Sequence, residues 1–169
     1  MNPTENRSDS QLPEFLNAFH LTAIQVVFRV LERDRLPDFP PDRIKRLRGA
    51  FNAALTSTHC RGNNYSGRPC SECHCIYGTL SGKHWTGQQM HTARFSEAPS
   101  PILFWLPQNP GRAVPGREIR FNVTLIGHTG HYLPYLYPVF NHMARQCLGH
   151  ESASYELDRI VALDAEGLG

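Results

Sequence analysis

No stretch of this 169-residue chain approaches 18 consecutive apolar residues, so no membrane-spanning helix is expected. Residues 1–14 are polar, carry both charge signs and lack the apolar centre of a secretion signal. They are read as a loosely held tail on a cytoplasmic protein with no membrane role. No paired carboxylates stand at a spacing useful for acid–base chemistry. The segment Gly78-Thr79-Leu80-Ser81-Gly82-Lys83-His84 falls short of a phosphate loop. Its glycines are one residue too close, and no Ser or Thr follows the lysine. Net charge is also scarce, only +2. Cysteine pairing is incomplete, because five cysteines are an odd number. Four of them crowd between Cys60 and Cys75, which suggests a metal site before a disulfide framework.

The small net charge is unevenly spread. Residues 1–42 and 121–169 are each net acidic, whereas residues 43–120 hold eleven Lys/Arg against three acids. A basic block between acidic ends suits a polyanion, nucleic acid first. A solvated basic face is the plainer alternative.

Residues 20–31 alternate as a strand, with Thr22, Ile24, Val26, Phe28 and Val30 on one face. A helix is expected from Pro40-Pro41-Asp42, since proline and an acid suit its first turn. Ile44, Leu47, Phe51, Ala54 and Leu55 form its buried stripe. Arg43, Lys45, Arg46 and Arg48 are left for solvent or a ligand. Residues 57–100 show no lasting periodicity and are read as an insertion. Residues 102–106 are apolar throughout, as in a central strand. Ile119, Phe121, Val123 and Leu125 alternate with Arg120, Asn122 and Thr124 in the clearest strand. Leu133, Leu136, Val139, Phe140, Met143 and Cys147 give a second helical stripe, ended at Gly149. Pro138 is a point where that helix can kink. A last strand covers residues 155–163.

The order β-α-β-β-α-β, with right-handed crossovers, predicts an α+β chain. The fold is a ferredoxin-like domain over residues 15–169, carrying the long Cys-rich insertion after its first helix. The open face of such a sheet is a common RNA platform.

Cys60, Cys70, Cys73 and Cys75 can close a tetrahedral zinc site of structural role that organises the insertion. His59 or His74 can replace one thiolate, and reduced cysteines in a loop are the plainer alternative. Arg43, Lys45, Arg46, Arg48 and Arg120 are candidate phosphate contacts, which supply affinity and not sequence choice. Tyr65, Tyr77 and Trp85 lie in the same basic stretch and can stack on bases. His59 ends the basic helix, where a general base can reach a bound backbone. His128 and His131 bracket the turn into the second helix and can touch phosphate.

Several segments stand in an order worth comparing with known families. They are Leu47-Arg48-Gly49-Ala50-Phe51-Asn52-Ala53-Ala54-Leu55, the cysteine loop ending Cys75-Ile76-Tyr77, and Pro101-Ile102-Leu103-Phe104-Trp105. After these come Pro115-Gly116, Ile119-Arg120-Phe121, Thr124-Leu125-Ile126-Gly127, Leu133-Pro134-Tyr135 and Leu148-Gly149. Together they resemble the CRISPR-associated RAMP endoribonucleases that process precursor CRISPR RNA. Members of that family carry two ferredoxin-like domains, and this chain is similar to the first. The resemblance implies a CRISPR repeat RNA as partner, with other CRISPR-associated subunits or a second domain beside it. It implies metal-independent cleavage by the 2′-hydroxyl, leaving a 2′,3′-cyclic phosphate and needing no catalytic cofactor. His59 is then the candidate base, and Arg43 or Arg46 the charge stabiliser. A non-catalytic RNA-binding subunit and a zinc-stapled interaction module stand as alternatives.

Overall fold

The computed structural model describes residues 20–31, 40–60, 76–81, 100–111, 115–148 and 155–164. Strand β1 (Leu21–Val30) leads into helix α1 (Pro40–His59) and a short helix α2 (Ile76–Ser81). Strands β2 (Ile102–Trp105) and β3 (Glu118–Ile126) follow. A 3-10 segment (Gly127–Tyr132), helix α3 (Leu133–His142) and a π-helical turn (Met143–Cys147) come next, before strand β4 (Tyr155–Ala162).

The four strands form one antiparallel sheet in the order β2-β3-β1-β4. The arrangement is α+β and compatible with a ferredoxin-like fold. In β1 the even-numbered residues Ile24, Val26, Phe28 and Val30 face the core, as the alternation predicts. Ile119, Phe121, Val123 and Leu125 do the same from β3. Helix α1 buries Leu47, Ala50, Phe51, Ala54 and Leu55 against them, and α3 buries Leu136, Val139 and Phe140. Phe51 ties three elements together. Its ring lies 5.2 Å from Phe104 of β2 and 5.7 Å from Phe140 of α3. Phe121 in turn meets Phe28 at 5.3 Å and Phe140 at 6.1 Å. Both long helices therefore cover the same face of the sheet.

Four expectations are corrected. The 102–106 run forms an edge strand, because β3 takes the place beside β1. Its apolar character is explained by two sheet faces: Ile102 is buried in the core, whereas Leu103 is 52 % exposed. The single second helix expected over residues 133–147, with a kink point at Pro138, is the last two of three helical types in series. Its α-helical part includes Pro138 without ending there. The region after α1 is not wholly irregular, since α2 forms and buries Leu80. On α1 itself, Ile44 is only half-buried and Arg43 takes the inward position one turn before Leu47. The expected tail at residues 1–14, the residues 61–75 and 82–99 of the insertion, and the Gly149 stop lie outside the described residues, as does the Cys147 side chain. No helix among the described residues is long and apolar enough to cross a membrane.

Candidate nucleic-acid interface

Helix α1 presents the basic candidates from its first half and His59 from its last turn. Arg43 is only 2 % exposed, and its Nη1 donates to the Gly111 carbonyl at 3.0 Å. The expectation that Arg43 faces solvent is therefore corrected: it lies on the buried stripe and anchors the chain leading into β3. Arg46 is half-buried, and its Nη2 donates to the Leu148 carbonyl at 2.9 Å, holding the end of the π-helical turn. Lys45 and Arg48 are exposed, with no ion pair among the described residues.

His59 is half-buried at the other end of α1. Thirteen residues separate it from Arg46, a rise of about 20 Å at 1.5 Å per residue. Sixteen separate it from Arg43, a rise of about 24 Å. These groups cannot meet one scissile phosphate, so the pairing of His59 with Arg43 or Arg46 is corrected by helix length alone. Burial lowers the His59 pKa from the usual histidine value. Its Nδ1 shares a 2.7 Å hydrogen bond with the Thr58 hydroxyl. The imidazole stands edge-on to Tyr135, centroids 6.2 Å apart, and Tyr135 stands 6.4 Å from Tyr132. Cys60 follows, half-buried, its N–H on the Thr56 carbonyl. Cys70, Cys73 and Cys75, like His74, Tyr65 and Trp85, lie outside the described residues. Among the described residues no three His, Cys, Asp or Glu side chains are placed to hold a metal ion. Tyr77 is described and half-buried, packed against the core from α2.

The sheet face opposite the helices carries the fifth basic candidate, Arg120. It is not alone there. Glu118 accepts from Arg120 Nη2 at 2.7 Å and from Arg159 Nη1 at 2.9 Å. Arg159 also bonds Asp158, which accepts from Arg29 at 2.6 Å; Arg29 reaches Glu156 at 2.9 Å. Three arginines and three carboxylates thus form one charge-balanced network across β3, β1 and β4. The bonds from Arg159 and Arg120 hold the Glu118 carboxyl down at about 2, and Glu118 raises the Arg159 pKa. Further along the same face, Gln25 donates to Asn122 at 3.1 Å and the Trp105 indole to Thr124 at 3.2 Å. Sequence reading missed this network and the tyrosines beside His59. The available signal was the set of charged residues on the outward positions of β1, β3 and β4.

No curated protein and no solved structure matches the chain. A family model, AF_1859_N, described as an N-terminal domain, matches residues 19–168. That span takes in every described element from β1 to β4, and the chain belongs to the AF_1859_N N-terminal domain family.

Proposed function

We propose that this chain is a CRISPR-associated RNA-binding protein of the RAMP type, with a ferredoxin-like domain that acts on precursor CRISPR RNA. The carrying observation is the sheet order β2-β3-β1-β4 with both long helices on one face. That is the arrangement the ordered RAMP-like segments call for. The exposed Lys45 and Arg48 supply the phosphate contacts. The arginines of the sheet are already paired with carboxylates and contribute less. Zinc on Cys60, Cys70, Cys73 and Cys75 belongs to the same reading as a structural group, and metal analysis of the purified protein tests it. About one zinc per chain supports the site; far less rejects it.

The binding test is a titration of CRISPR repeat RNA at several salt concentrations. Affinity should fall as salt rises. The double variant Lys45→Ala/Arg48→Ala should bind more weakly, with the salt slope reduced by about 1–2. An unchanged slope would reject the assignment of these residues.

A catalytic version is favoured by one observation: His59 ends α1 with its Nδ1 tied to the Thr58 hydroxyl at 2.7 Å, which leaves the other ring nitrogen for a substrate. An imidazole neutral at pH 7 can take the proton of an RNA 2′-hydroxyl. The 2′-oxygen then bonds the adjacent phosphorus, the bond to the 5′-oxygen breaks, and that oxygen takes up a proton. Arg43 and Arg46 have no part in this step. Cleavage of the repeat RNA in EDTA, absent with a 2′-deoxy nucleotide at the cut and with His59→Ala, is the expected result. Binding without cleavage would leave the RNA-binding subunit as the function.

A further inference from the structure

The segment joining β3 to α3 reads Gly127-His128-Thr129-Gly130-His131-Tyr132, and its small residues fix its large ones. Gly127 turns the chain with φ +65°. Thr129 is buried, and its hydroxyl donates to the Ile126 carbonyl at 2.8 Å. A Cβ on Gly130 would stand 2.6 Å from the Thr22 hydroxyl, so the turn lies directly against β1. Residues three apart eclipse one another in a 3-10 helix. With Thr129 and Gly130 turned inward, His128 and His131 point outward together. Both are exposed, and their rings lie 12° from parallel with centroids 6.4 Å apart. Tyr135 follows His131 by one helical turn and is 50 % exposed, flanked by Tyr132 and His59. The surroundings are free of competing charge on their own elements. From Ile119 to His150 the sequence contains no Asp or Glu.

We propose that His128, His131 and Tyr135 form a stacking platform for unpaired bases of an RNA strand. The proposal rests on the RNA-binding reading above and specifies where the bases go. Aromatic faces accept any base, so the platform gives affinity without sequence choice. The absence of carboxylates along the segment lets the attached phosphates approach. The cations are elsewhere: Arg48 is eleven residues before His59 on α1, a rise of about 16 Å. Backbone and bases are thus held at different levels of the molecule.

The experiment is a fluorescence titration of a labelled single-stranded RNA at several salt concentrations. Wild type is compared with His128→Ala/His131→Ala/Tyr135→Ala, with the corresponding triple Phe variant, and with Lys45→Ala/Arg48→Ala. The Ala triple variant should bind on the order of tenfold more weakly or worse, with an unchanged salt slope. The Phe triple variant should stay close to wild type, because stacking survives the change. A thermal melt like that of wild type confirms that the exposed substitutions leave the fold intact. If the Ala triple variant binds like wild type while Lys45→Ala/Arg48→Ala binds weakly, the platform is overturned and the RNA reading stands. If Phe loses as much as Ala, the histidines act by hydrogen bonding or charge, and stacking is overturned. If wild type binds no RNA at low salt, both readings fall.

Discussion

Arg43 shows how one position can carry a signal that its residue type disguises. It lies one turn before Leu47 and so on the inward stripe, yet an arginine in a basic run reads as solvent-facing. Burying a guanidinium is costly unless it finds acceptors, and the Gly111 carbonyl is one. Arg43→Ala should lower unfolding free energy by about 2–3 kcal/mol. Lys45→Ala, two residues on and exposed, should stay within about 0.5 kcal/mol. Urea unfolding of the two variants checks the contrast. Gly111 is the other half of the contact. Its φ is +80°, and a Cβ there would stand 2.0 Å from the Glu118 carbonyl oxygen. Gly111→Ala should therefore cost more than about 2 kcal/mol, from strain and overpacking together. A midpoint within error of wild type would refute this reading of the turn.

Elements with a strong period were legible, and those fixed by their neighbours were not. The β1 and β3 alternations and the first-helix stripe follow from side-chain geometry within each segment. The edge position of β2 depends on which strand β3 pairs with, which four apolar residues cannot encode. The ion-pair network is also a product of register. Arg120 and Arg159 both stand opposite Val27, one on each side, before converging on Glu118. Glu118 is held at about 2 in the folded chain against an ordinary 4.5. The unfolded chain therefore binds its proton first as pH falls, so the stabilisation present at neutral pH is lost between about pH 5 and pH 2. Glu118→Gln should flatten the acid side of the stability profile across that window. The effect should be small, because the pairs are partly exposed and screened by salt. Phe51 tests the opposite regime. Its ring joins α1 to β2 and α3, so Phe51→Ala should cost about 3–5 kcal/mol in a thermal or urea melt.

At the scale of the molecule, α1 is about 30 Å long, and it separates what the sequence places in one basic stretch. The cationic side chains belong to its beginning and His59 to its end, where the imidazole meets Tyr135 of α3. Linear proximity made Arg46 and His59 look like partners, and only the straightness of a helix shows otherwise. All four proposed zinc ligands fall between the end of α1 and the start of α2, where no period guides a reading. The fold of the sheet was thus more legible than the site, because a site depends on distances between segments. A further consequence lies in the pairing of the outermost strands of the chain. β1 begins and β4 ends at the same end of the sheet, where the Leu163 N–H bonds the Ala23 carbonyl at 2.9 Å. A short linker joining residue 164 to residue 20, with new termini opened between α2 and β2, should yield a circular permutant that keeps the core contacts and folds by a different order of loop closures.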